Sequence, residues 1–122
     1  MQKILIVDDD QYIREVYEEV LIEAGYSVET AADGKDGLEK ISEGGYDLIL
    51  LDIMMPYLDG LGILAKIKES KTKKKNGPIM ILTNLAYDQI AEETMEAGAK
   101  YCYNKADFNP DELLLKIKEI LK

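Results

Sequence analysis

Four apolar residues, Ile4–Val7, run directly into three carboxylates, Asp8–Asp10, and the pattern returns as Leu48–Leu51 before Asp52. A short, continuously apolar run suits a strand covered on both faces, as in a parallel sheet. A block of acids at its end is costly to bury, because desolvating an unpaired charge costs several kcal/mol or more. The acids therefore belong at the strand exits, where a cation is expected. The two strand ends are read as neighbours that gather Asp8, Asp9 and Asp52 around one divalent metal.

The rest of the chain repeats that unit. Lys3–Val7 is the first strand, and Asp10 can cap the helix after it. Ile13, Val16, Tyr17, Val20, Leu21 and Ala24 recur at helical spacing up to a stop at Gly25. Tyr26–Ala31 alternates as a second strand. Asp33-Gly34 turns the chain into a short helix marked by Leu38 and Ile41, and Gly44-Gly45 ends it. Tyr46–Leu51 is the third strand, followed by the loop Ile53–Leu58 with Pro56 and a helix from about Asp59 carrying Leu61, Leu64 and Ile67 on one face. Lys71–Lys75 reads as a solvated basic loop closed by Asn76-Gly77-Pro78. Ile79–Leu82 is a fourth strand ending at Thr83. A helix over Asp88–Ala97 is expected to turn Ile90, Thr94 and Met95 inward and to stop at Gly98. Lys100–Asn104 is a fifth strand ending at Lys105. Asn109-Pro110-Asp111-Glu112 starts a last helix whose buried stripe is Leu113, Leu114, Ile117 and Ile120.

Strand and helix alternate five times without a linker or repeat, which predicts an α/β fold with a parallel sheet and helices on both faces. At 122 residues the chain has room for one such domain, 1–122, and too few for two. In open α/β sheets ligands bind at the carboxyl ends of the strands. Asp8, Asp9, Asp52, Thr83 and Lys105 all fall there.

Composition narrows the chemistry. The net charge of −9 argues against direct nucleic-acid binding and against an anionic membrane surface. The apolar runs are too short to insert in a bilayer, and with no signal-peptide pattern the default location is cytoplasmic. A single cysteine and no histidine exclude an internal disulfide, a cysteine zinc site and imidazole chemistry. An all-oxygen carboxylate set suits Mg²⁺. With a lysine and a hydroxyl beside it, the set is the equipment of phosphoryl transfer, and Asp52 is the natural acceptor through an acyl phosphate.

These residues carry a resemblance. Asp8-Asp9 after an apolar strand, Asp52-Ile53-Met54-Met55-Pro56 with Asp59-Gly60 following, Thr83 and Lys105 together resemble the response-regulator receiver domain of two-component signalling, over the whole chain. The resemblance implies a flavodoxin-like, doubly wound five-stranded sheet of order 2-1-3-4-5 with five helices. It implies that Asp52 accepts a phosphoryl group from a histidine kinase or phosphotransfer protein. Asp9, Asp52 and the Met54 carbonyl would ligate Mg²⁺, with Asp8 acting through water. Thr83 would bond the phosphate and Lys105 would pair with it. The resemblance further implies a signalling switch rather than a conventional enzyme, with limited self-phosphorylation and slow self-dephosphorylation. Its output would be a changed face of the fourth helix, fifth strand and fifth helix toward a downstream protein partner or effector domain, as a monomer or a phosphorylation-dependent dimer.

The chain departs from the family pattern in three places, and two further positions bear on the lifetime of the phosphorylated form. The position three before the lysine, usually Tyr or Phe, is Cys102, too small for the aromatic switch; strand alternation sends Tyr101 and Tyr103 to the opposite face. Ala106 stands where the family has a Pro in a cis bond, so the bond is either trans or strained. Asn84 replaces a small residue after Thr83. These three make Asn84, Tyr101, Cys102 and Tyr103 the switch and partner positions to inspect. Met54 and Leu85, two after the acceptor and two after the Thr, are unable to orient an attacking water, so a long-lived phosphorylated form is expected. The rival readings are a phosphorylation-independent interaction module, an aspartyl-nucleophile phosphatase and a flavin carrier. The phosphatase lacks its second acid at Met54. For the flavin carrier, Asp8–Asp10 would repel a phosphate.

Overall fold

The computed structural model describes residues 1–70, 72–84 and 87–122, with 87–89 described as backbone only. Its elements alternate as expected: β1 (Lys3–Val7), α1 (Gln11–Glu23), β2 (Ser27–Ala31), α2 (Gly34–Glu43), β3 (Leu48–Asp52), α3 (Gly60–Glu69), β4 (Ile79–Thr83), α4 (Tyr87–Glu96), β5 (Tyr101–Asn104) and α5 (Pro110–Ile120), with a short 3₁₀ turn at Lys105–Asp107. The five strands are parallel in the order β2-β1-β3-β4-β5, a flavodoxin-like doubly wound sheet. Lys71 and Leu85 lie outside the described residues.

Strand periodicity divides the core in two. On one face Leu5, Val7, Ile49, Leu51, Ile81 and Cys102 pack with α2, α3 and α4, through side chains such as Ile41, Ile63, Leu64 and Ile90. On the other, Ile4, Ile6, Leu48, Leu50, Met80 and Leu82 pack with α1 and α5, through Tyr17, Leu21, Leu113 and Ile117. Both faces of the central strands are covered, which is why β1 and β3 are apolar without a break over Ile4–Val7 and Leu48–Leu51 rather than at alternate positions.

The helices begin where the sequence places them. Asp10, Asp33 and Asp59 each cap a helix by accepting from the backbone N–H three residues on. Asn109 and Glu112 form a reciprocal capping box on α5, with Pro110 in the first turn.

Met95 is a correction to the expected inward face of α4. Thr94 is fully buried, whereas Met95 is 47% exposed. The inward stripe runs through Ile90, Ala91, Thr94 and Ala97, and a residue five after Ile90 is turned well away from it. The Lys105–Ala106 peptide is trans; there is no cis bond among the described residues.

The loop below the strand exits is held by close backbone approach. A Cβ on Gly34 would sit 1.9 Å from the Leu58 carbonyl oxygen. Gly34→Ala must therefore push back the β3–α3 loop, and we expect a loss of about 2 kcal/mol of stability in urea unfolding. An unchanged midpoint would mean that the loop yields freely.

Candidate functional site

Parallel pairing makes the site. β1 and β3 are neighbours with Val7 opposite Leu51, so Asp8 and Asp52 leave the sheet side by side. Both follow the even-numbered positions of their strands, which places them on the α1 and α5 face. Oxygen atoms of Asp8, Asp9 and Asp52 lie within 4.8 Å of one another. Asp8 and Asp52 are buried and Asp9 is exposed, so the cluster opens to solvent on one side only.

Lys105 comes to the same point from beyond β5. Its Nζ lies 2.7 Å from Asp8 Oδ2 and 3.5 Å from Asp52 Oδ2, with the side chain only 8% exposed. That excludes a merely solvated lysine. The other oxygens are also held: Asp8 Oδ1 accepts from the Asp10 N–H at 2.9 Å and Asp52 Oδ1 from the Met54 N–H at 3.3 Å. Thr83 ends β4 beside β3 and is fully buried. Met54 is 58% exposed, and Asn84, next after Thr83, is exposed.

The electrostatics follow from this crowding. Burial pushes the Asp52 carboxyl up from its ordinary 3.8 to about 6; Lys105 opposes the shift and Asp8 adds to it. Burial works against the charge of Lys105, but the hydrogen bond and charge of Asp8, with those of Asp52, outweigh it and raise the lysine. Three acids against one lysine leave the site negative and all-oxygen on its open side, a donor set that fits a hard divalent cation such as Mg²⁺.

Two residues were not singled out by sequence reasoning for the site. Arg14 Nη1 donates to the Asp8 carbonyl at 2.8 Å, bracing the strand exit from α1. Tyr17, read only as a core residue, lines the space beneath Asp8 and Asp52 together with Ile6, Leu50 and Leu82. Burial raises its phenol, with Lys105 opposing and the two carboxylates adding. The period-two signal that sends Asp8 and Asp52 to the α1 face was the available clue. At β5, Cys102 faces the α4 side and Tyr101 and Tyr103 face the α5 side, as expected. Burial raises the Cys102 thiol, opposed by its hydrogen bond with Thr94.

Comparison with known proteins agrees with this geometry. Residues 4–118 match the family described as the response regulator receiver domain. The chain belongs to that family: it is a receiver domain of the two-component response regulators. It is 41% identical over its whole length to a transcriptional regulatory protein of Haemophilus influenzae, a CpxR homolog, covering 51% of that protein. The chain thus spans about half the length of the curated relatives it matches. Among solved structures, it is similar to the response regulator TrrA of Thermotoga maritima in complex with Mg²⁺ and BeF, at 38% identity and TM-score 0.80, over 98% of this chain and 99% of that one. The chemotaxis protein CheY4 of Vibrio cholerae gives 34% identity and TM-score 0.85 over 98% of both chains. No helix among the described residues is long and apolar enough to cross a membrane.

A raised carboxyl loses stability as it ionises. In chelator, Asp52 contributes nothing adverse below 3.8 and costs stability as pH rises through about 6. Asp52→Asn is expected to be more stable than wild type at pH 7 by about 1–3 kcal/mol, with the gap closing near pH 4. Urea midpoints across pH measure this; a gap that stays constant would show that Asp52 is ionised without penalty.

Proposed function

We propose that residues 1–122 work as one phosphorylation-controlled receiver, with Asp52 as the phosphoacceptor. The observation that carries the reading is the convergence of Asp8, Asp9 and Asp52 within 4.8 Å, with Lys105 reaching both buried acids. Caps and solvated charges do not need that arrangement.

In the reading, Asp9, Asp52 and the Met54 carbonyl would hold Mg²⁺ directly, and Asp8 would act on it through water. When bound, the ion neutralises carboxylate and phosphoryl charge. A carboxylate oxygen of Asp52 attacks the phosphorus of a phosphohistidine on a histidine kinase or phosphotransfer protein. The new O–P bond forms as the N–P bond breaks, and the electron pair and a proton end on the imidazole. The Met54 N–H keeps the other Asp52 oxygen in place. Lys105 exchanges its contact with Asp52 for a phosphate oxygen, and the Thr83 hydroxyl donates to another. The same groups permit self-phosphorylation from small donors and slow self-dephosphorylation, short of a conventional enzyme. Exposed, apolar Met54 cannot orient water, which favours a long-lived acyl phosphate. We place the chain in the cytoplasm with its phosphodonor.

Output passes to the surface of α4, β5 and α5, and from there to a downstream protein partner or effector domain, as a monomer or phosphorylation-dependent dimer. Asn84, Tyr101 and Tyr103 belong to this surface. Tyr101 stacks on Tyr103 at 6.3 Å, and Tyr103 meets Phe108 edge-on at 5.3 Å. Buried Cys102 has no ring to turn, so the readout here rests on how α4 seats over Cys102 through its buried Thr94.

Intact-mass spectrometry after acetyl phosphate and Mg²⁺ tests the reading. We expect one phosphoryl adduct, absent with chelator and in Asp52→Asn, reduced about 100-fold in rate in Lys105→Met, and decaying over hours. An adduct that persists in Asp52→Asn would remove Asp52 from its role. If neither phosphorylation nor beryllofluoride binding occurs, the phosphorylation-independent module becomes the better account.

A further inference from the structure

An open groove of about 600 Å³ runs beside the strand exits, bounded by the loop after Asp52, the start of α3, and α4. Its apolar lining includes Met54, Met55, Leu61 and Ile90, and it carries two carboxylates, Asp9 and Asp59. Lys105 is engaged with Asp8 and Asp52, and neither Asp9 nor Asp59 has a cationic partner among the described residues. The adjoining loop is bare as well: Met54 is 58% exposed and Tyr57 fully exposed. Tyr57 has φ 70, in the left-handed region, across a 2.8 Å bond from the Leu58 N–H to the Pro56 carbonyl. A bulky residue held in that conformation with its ring in water adds nothing to the core, and strain of this kind clusters at binding sites.

We propose that this groove is a docking site for a basic, apolar segment of a partner protein, and that the segment competes with Mg²⁺ for Asp9. Apolar side chains of the segment cover Met54, Leu61 and Ile90, while its Lys or Arg side chains meet the two carboxylates. Charge selects that occupant. An acidic segment is repelled by Asp9 and Asp59 and by the net charge of −9. A wholly polar one leaves the apolar wall in water. The two methionines make a wall that repacks around different apolar side chains.

The competition follows from Asp9, which belongs both to the groove and to the three-acid cluster. This half rests on the metal-site reading above; the docking does not. An ammonium or guanidinium group at Asp9 takes away a direct ligand of the ion, so segment and ion weaken each other by the same factor. The partner therefore holds the chain metal-free and unphosphorylated. That sets it apart from a phosphodonor, which needs the ion in place.

The test is fluorescence anisotropy of a short labelled Leu/Lys peptide with the whole chain, beside a Ser/Lys peptide of equal charge and a Leu/Glu peptide. No phosphodonor is present. We expect the Leu/Lys peptide to bind about tenfold more tightly than the Ser/Lys peptide, and the Leu/Glu peptide not to bind. Leu61→Ser, Ile90→Ser and Asp59→Asn should each weaken binding about fivefold, while Glu19→Gln on α1 leaves it unchanged. Asn caps a helix as well as Asp, so Asp59→Asn removes the charge and keeps α3. At constant ionic strength, saturating Mg²⁺ should weaken the peptide about fivefold in wild type and have no effect in Asp9→Asn. Equal binding of the Ser/Lys peptide, or groove variants that bind like wild type, overturns the docking site. Mg²⁺ without effect in wild type overturns the competition. Self-association of the free chain that Leu61→Ser and Ile90→Ser abolish gives the groove to a second copy and overturns the proposal too. Labelling of Asp52 by acetyl phosphate is a separate readout, and its failure counts against the phosphoacceptor reading while peptide binding still decides the groove.

Discussion

The contact of Lys105 with Asp8 and Asp52 is the constraint around which the rest is arranged. A lysine and two carboxylates are buried together at 2.7 and 3.5 Å, with a third acid at the solvent edge. Buried ion pairs seldom add much to stability, because desolvation cancels most of the attraction, and one lysine leaves this cluster short of positive charge. An apolar cluster of the same volume would be at least as stable. The arrangement makes physical sense as a site that is left incomplete until a cation and an anionic group arrive.

The scaffold is built to tolerate that cost. The strand exits are fixed by parallel pairing on both sides of β3 and by the Arg14 contact to the Asp8 carbonyl. Two separate apolar layers lie beneath them, so the acids stand on a packed base whichever face they take. The close approach of Gly34 to Leu58 ties the loop after Asp52 to α2. Acidic residues in the segments that follow the strands thus divide into two kinds. Asp10, Asp33 and Asp59 are satisfied by helix N-termini, while Asp8 and Asp52 are turned toward one another and toward a lysine 97 residues from Asp8 in sequence.

The fifth strand separates two tasks by alternation. Cys102 is packed against α4 in a layer of small groups that includes Ala91, Thr94 and Ala99. Tyr101 and Tyr103 project the other way, stacked together, with Lys100 and Lys116 each 5.8 Å from a ring centre. A small thiol thus lies on the inner face under α4, and an aromatic pair lies on the outer face in the layer of α1 and α5.

Much of this was legible in the chain. Continuous apolar runs in β1 and β3 specified strands covered on both sides, and Asp10 and Asn109 specified helix starts, because these signals are local. Asp8, Asp9, Asp52, Thr83 and Lys105 could be picked out as strand-end polar residues for the same reason. The sequence by itself therefore determined the element order, the parallel sheet and the membership of the polar edge. Only the tertiary structure decided that Lys105 is buried against Asp8 in preference to solvent, that Tyr17 and Arg14 brace the cluster from α1, and that Met95 turns outward while Thr94 is buried. Those outcomes depend on how α1 and α4 rotate against the sheet. That rotation is set by packing across the whole layer and has no local signature in the chain.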